Sequence, residues 1–253
     1  IIKRSEKIDI GNSTFRIRQM AKSNLKEKEI AILIGEKVTD KNKINLEDPQ
    51  VTILFYHGNE FFITLNYHDE ITAYKKCLKH HINLRPYFSP ISIHPRIARA
   101  MINLSNCNEN DILLDPFCGT GGILIEGADM NLNVVGIDLK RKMIEYSRGN
   151  LEHYGLKGKV IEADFKKLKD MKFKSVVCDP PYGIASTTGG EKISNLIERF
   201  IRTIESKMVK GQRLVIALND AKLLKKDKLK IIYHFKWYIH KSLTRNILVI
   251  EKN

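Results

Sequence analysis

Apolar residues change their spacing twice along this chain of 253 residues. Thr14 to Arg18 alternates with a period of two and predicts a strand. Ser23 then caps a helix whose apolar positions Ile30, Leu33, Ile34 and Val38 follow helical spacing. Two β-rich runs, Val51 to Tyr56 and Phe61 to Tyr67, are parted by Gly58 and Asn59, a hairpin signal. The expected result is a small mixed unit of helix and strand. Between Tyr67 and Pro95 the pattern loosens around Pro86, Pro90 and Pro95, as a linker or docking strap would.

Beyond the strap, strands alternate with helices. Helices are predicted at Pro95 to Leu104, about Gly122 to Met130, Lys140 to His153 and near Ser194 to Lys207. Strands are predicted at Ile112 to Asp115, Val134 to Asp138, Lys159 to Glu162 and Ser175 to Asp179, with late ones at Leu214 to Ala217, Lys230 to Phe235 and Ile247 to Ile250. Alternation of this kind implies an α/β fold, a doubly wound and mainly parallel sheet. Ligands of such sheets sit beyond the carboxyl ends of the strands, which directs attention to Asp115, Asp138, Asp164 and Asp179.

With 43% hydrophobic and 28% charged residues, the chain can bury a substantial core, and intrinsic disorder is disfavoured. No run approaches the roughly 20 apolar residues that span a bilayer, and Ile1 opens onto Lys3, Arg4, Glu6 and Lys7 with no signal-peptide pattern. A membrane or secreted protein is therefore not expected. Ile1 in place of an initiator Met suggests a piece of a longer chain, or a processed one. The four cysteines, Cys77, Cys107, Cys118 and Cys178, show no C-x-x-C spacing, so they read as reduced thiols of a cytoplasmic protein, with no metal expected.

Charge narrows the choice of partner. Lys and Arg number 43 against 29 Asp and Glu, a net +14. Ile1 to Glu70 is balanced at 11 basic and 11 acidic residues, so the whole surplus lies in the later part. Such an excess points to a polyanion.

Four strand ends carry the chemistry. The loop from Asp115 through Pro116, Phe117, Cys118, Gly119, Thr120 and Gly121 to Gly122 lets the backbone approach a ligand and opens a helix amino end. Its leading carboxylate suits a cationic or amine-bearing ligand better than a pyrophosphate. Asp138, about 20 residues on, stands where an acidic residue hydrogen-bonds ribose hydroxyls, and Asp164 with Phe165 suits an adenine amine and ring. The sharpest signal is Asp179-Pro180-Pro181-Tyr182 after the apolar run Val176-Val177-Cys178. Two prolines fix the backbone so that the Asp179 carboxylate and the Pro180 carbonyl form a pair of acceptors for a planar NH₂ group, beside an aromatic face.

These motifs resemble a class I S-adenosylmethionine-dependent methyltransferase of the amino-group type, with the D-P-P-Y signature, over about Ser89 to Asn253. More narrowly, Leu84-Arg85-Pro86-Tyr87-Phe88-Ser89-Pro90, His94 to Ala100 and His240 to Arg245 resemble archaeal tRNA guanine-N2 methyltransferases acting at position 10. The front part, with Asn45 to Pro49 before Val51 to Tyr56, is similar to the end of a THUMP domain, an RNA-binding module.

The resemblance implies a Rossmann-like methyltransferase domain over 91–253, a strap over 69–90 and a partial THUMP-like α+β domain over 1–68. It implies that Gly119 and Gly121 bed the methionine part of S-adenosylmethionine, Asp138 the ribose and Asp164 the adenine amine. With Asp115, Phe117, Leu139 and Phe165 these form the expected cofactor set, while Asp179, Pro180, Pro181 and Tyr182 hold the target amine. Lys241 and Arg245 are expected on tRNA phosphates, and the protein as a cytoplasmic monomer. DNA adenine-N6 methyltransferases share the D-P-P-Y string, protein-glutamine methyltransferases use N-P-P-Y, and a noncatalytic RNA-binding scaffold is the reading from another class.

Overall fold

The computed structural model describes residues 7–19, 26–38, 42–57, 61–67, 78–89, 92–181, 192–224, 229–240 and 243–253. The chain divides into two compact units, Ile1–Lys76 and Cys77–Asn253.

In the first unit β1 (Phe15–Gln19) runs parallel to β2 (Val51–His57), which pairs antiparallel with β3 (Phe61–Tyr67). The β2 and β3 pair is the hairpin that the sequence predicts; Gly58 and Asn59 lie outside the described residues. Val51, Ile53 and Phe55, every second residue of β2, are fully buried and meet Phe15 and Ile34. Helix α1 (Glu27–Gly35) starts with Lys26 in the capping position, and Ser23 lies outside the described residues. Ile34 faces the core, but Leu33, expected beside it, is exposed. A nine-residue helix over a three-stranded sheet buries only a narrow stripe.

The second unit holds a seven-stranded sheet. Its strands are β4 (Ile112–Asp115), β5 (Asn133–Asp138), β6 (Lys159–Glu162), β7 (Ser175–Cys178), β8 (Arg213–Leu218), β9 (Leu229–His240) and β10 (Leu243–Lys252). Their spatial order is β6, β5, β4, β7, β8, β10, β9, parallel from β6 to β8, with β10 antiparallel to both neighbours. The late strands thus form a long hairpin and exceed the short segments that the pattern predicts. Because the winding reverses at β4, a crevice opens beyond the ends of β4 and β7.

Among the described residues four helices cover the sheet: α2 (Pro95–Leu104), α3 (Gly122–Asp129), α4 (Arg141–His153) and α5 (Ile193–Glu205). Strands β7 and β8 are apolar on both faces. Val176, Cys178, Leu214 and Ile216 pack with the α5 stripe Leu196, Ile197, Phe200 and Ile204, while Val177 and Val215 pack with Met101 of α2 and Leu124 of α3. Helix α2 begins well because Pro95 needs no amide partner and His94 Nδ1 accepts the Arg96 N–H at 3.2 Å. Among the described residues no helix is long and apolar enough to cross a membrane.

The strap residues are fastened to this unit. Asn150 of α4 accepts the Tyr87 N–H at 3.0 Å, donates to the Tyr87 carbonyl at 2.7 Å and donates to the Thr120 carbonyl at 2.9 Å. One side chain therefore clamps the strap to the glycine loop.

Candidate active site

Beyond the ends of β4, β5 and β7 lies a cavity of about 230 Å³. Three strand-end carboxylates, Asp115, Asp138 and Asp179, line it. Asp115 is buried, and its Oδ1 accepts the Phe117 N–H at 3.1 Å, which turns the chain sharply after the strand. Burial, with the charges of Asp179 and Asp138 nearby, pushes its carboxyl well above the usual range. Asp138 Oδ2 accepts the Gly119 N–H at 3.1 Å and its Oδ1 the Lys140 N–H at 2.9 Å; burial raises its pKa as well.

Asp179 is the most unusual of the three. Burial raises its pKa to about 7, against the opposing pull of Arg245. Oδ2 meets Arg245 Nη1 at 3.2 Å, while Oδ1 is buried with no hydrogen-bond partner among the described residues. A buried acceptor without a donor carries a free-energy cost that an incoming N–H removes.

The remaining expected residues divide. Phe117, Gly119, Leu139, Phe165 and Pro181 line the cavity; Pro180 is buried behind it. Gly119 has a positive φ of 51°, which a glycine adopts without strain. Phe165 packs edge-on to Phe117 and Phe200 and lies under the Arg199 guanidinium, 4.8 Å from its ring centre.

Two of the expected cofactor residues make other contacts. Gly121 does not line the cavity: at φ 84° it caps α3, and a Cβ there would come within 2.6 Å of Ser147 Oγ, so its task is close packing against α4. Asp164 does not line it either. Its Oδ1 accepts the Lys166 N–H at 2.8 Å, and its Oδ2 lies 3.5 Å from Arg199 Nη1, a turn cap and an ion pair.

Arg245 also has a different setting from the one expected. Expected on tRNA phosphates, it is buried at 4% exposure, paired with Asp179 and set over Trp237 with 5.6 Å to the ring centre. Tyr182 and Lys241 lie outside the described residues. The sequence reading missed Ser92 and Arg199, which line the cavity. A signal for Arg245 did exist: it shares the core-facing register of β10 with Ile247 and Val249, where a lone charge requires a buried partner.

The donor set suits S-adenosylmethionine. Asp115 and Asp138 answer a ligand bearing positive charge and hydroxyls, aromatic rings line one wall, and the amino end of α3 favours a carboxylate.

A family model described as an RMKL-like methyltransferase domain matches residues 83–229. The chain belongs to this methyltransferase family. A DNA methylase model also matches residues 8–148, a span that stops short of Asp179. The tRNA (guanine(10)-N2)-dimethyltransferase of Methanothermobacter thermautotrophicus is 39% identical over 220 residues, covering 83% of this chain and 64% of that protein. The protein of the same name from Pyrococcus abyssi is 31% identical over 254 residues, covering 96% of this chain and 75% of its own. The chain thus spans a little under two thirds of the first relative's length. TrmN from Thermus thermophilus superposes with a TM-score of 0.58 at 20% identity, over 96% of this chain and 74% of that one, and shares the methyltransferase fold.

Proposed function

We propose that this protein transfers methyl groups from S-adenosylmethionine to the exocyclic N2 of a guanine in tRNA, at position 10. The observation that carries this reading is Asp179, a largely buried carboxylate at the end of β7 that lines the same cavity as the glycine loop. The choice of guanine N2 draws on the names of the archaeal relatives. In this reading residues 1–68 are a THUMP-like RNA-binding part, 69–90 a strap and 91–253 the catalytic domain of a cytoplasmic monomer.

Asp138 would take the ribose hydroxyls, Asp115 the ammonium of the methionine part, and Phe117 and Phe165 the adenine. The cofactor supplies an electrophilic methyl on a sulfonium. Asp179 and the Pro180 carbonyl then accept the two N–H bonds of the target amine, which holds its nitrogen in line and concentrates the delocalised lone pair on it. As positive charge builds on that nitrogen it faces the Asp179 carboxylate, and a carboxyl with a pKa near 7 is matched to take or relay the departing proton at neutral pH. Since the amine of a paired base is occupied, the nucleotide leaves its stack at a cost of a few kcal/mol, offset by stacking on Tyr182.

Methylation of DNA adenine is the second reading, favoured by the DNA methylase match. Assays with unmodified tRNA, duplex DNA and a release-factor protein separate these substrates. Methyl incorporation into tRNA alone is expected; incorporation into DNA or protein without tRNA overturns the proposal. Calorimetry with S-adenosylmethionine tests the noncatalytic scaffold, which need not bind it.

A further inference from the structure

Asp179 is held from one side only. Arg245, on β10, enters from the face that also carries Trp237, and its Nη1 donates towards Asp179 Oδ2 across 3.2 Å. Both side chains are almost wholly removed from solvent, at 5% and 11% exposure. The Trp237 ring beneath the guanidinium limits its movement, so the contact to Oδ2 is fixed by two strands of the sheet. The carboxylate is left asymmetric, with Oδ1 free of any hydrogen-bond partner among the described residues.

We propose that Arg245 is a positioning residue for methyl transfer, tying down Asp179 Oδ2 so that the carboxylate is held in one orientation towards the acceptor's N–H. The inference rests on the reading of Asp179 as the amine acceptor and adds how that acceptor is oriented. An untethered carboxylate rotates about its last torsion and presents either oxygen. A tethered one keeps its oxygens in fixed directions, which is what in-line attack requires.

The same pair sets the charge of the site. The groups that face Asp179 are Arg245 from β10 and Asp115 from β4, with the Cys178 thiol beside it on β7. Arg245 is the cation among them, and it favours the ionised, accepting form against burial. Replacing it by a neutral residue removes that support, so the carboxyl holds its proton to higher pH.

The test compares the pH dependence of single-turnover methyl transfer to tRNA in wild type, Arg245→Gln and Arg245→Lys, with S-adenosylmethionine affinity measured in each. Arg245→Gln should lower the rate by about 10- to 100-fold, as a misplaced group does. It should also move the acid limb up by about one pH unit or more, as loss of an adjacent opposite charge does. Arg245→Lys, which keeps the charge but not the planar fork, should lose rate while its acid limb stays within a few tenths of wild type. Cofactor affinity should hold in both. If Arg245→Gln is too unstable to bind cofactor, the Lys variant decides: a limb that moves despite the retained charge overturns the proposal. An unmoved limb in Arg245→Gln also overturns it, since a merely structural arginine lowers rate at every pH alike. Asp179→Asn separates the two levels: full activity there defeats the reading of Asp179 itself, whereas loss of activity there beside a wild-type profile in Arg245→Gln defeats only this inference.

Discussion

The N–H of Gly119 donates to Asp138 Oδ2 at 3.1 Å, so the end of β5 and the glycine turn after β4 form a single edge of the cavity. In the proposed reading Asp138 both orders the turn and takes the ribose hydroxyls, so its removal has two effects. Asp138→Ala should weaken S-adenosylmethionine binding by about 1.5 to 3 kcal/mol, the range for a hydrogen bond to a charged group. That is roughly 10- to 150-fold in Kd by calorimetry. An unaltered Kd removes Asp138 from the cofactor site.

The pKa of Asp179, raised to about 7 by burial, predicts a pH-dependent chemical step in the wild-type protein. The protonated carboxyl has lost charge and accepting capacity, so the rate should fall as pH drops through 7 and level off above it. Single-turnover rates at saturating cofactor measure this. A profile flat from pH 6 to pH 8 contradicts an Asp179 that acts as a carboxylate.

A buried ion network holds the strap side of the second unit. Glu126 of α3 is fully buried; its Oε1 meets His80 Nδ1 at 2.9 Å and its Oε2 accepts from Arg99 Nε at 2.8 Å, while Arg99 also pairs with Asp129. Arg99→Ala should destabilise the protein by about 3 to 5 kcal/mol, because it strips a buried carboxylate of its permanent cation. Denaturant unfolding provides the check, and a loss below about 1 kcal/mol contradicts it.

Gly121 supports α3 through its backbone. Gly121→Ala should cost at least about 1 to 2 kcal/mol for a left-handed residue with a Cβ. The contact with Ser147 Oγ adds to this, so the double variant with Ser147→Gly should recover part of the loss and not all of it. Full recovery would show that crowding, not φ, dominates.

The site was legible in the sequence where local pattern decides structure. The apolar run of β7 carries period-two alternation to both cores, so the position of Asp179 at its end followed from the run's length. Asp138 followed from its distance behind the glycine loop. The contacts of Asp164 were not legible, because its pairing with Arg199, 35 positions away, leaves no trace in its sequence neighbours. Arg245 is a matter of long-range pairing too. Its neighbours in sequence read as a basic loop, and only the antiparallel register of β10 brings it inward to Asp179. Leu33 failed for a related reason: helical spacing marks an apolar face without showing how wide a surface is present to cover it.

The most direct measurement is mass spectrometry of the nucleosides of unmodified tRNA after reaction with S-adenosylmethionine, using the wild-type chain and Asp179→Ala side by side. The account predicts N2-methylated guanosine from the wild type, and none from a variant that still binds the cofactor. Methyl groups on another base, or the same yield of methylguanosine from Asp179→Ala, would contradict it.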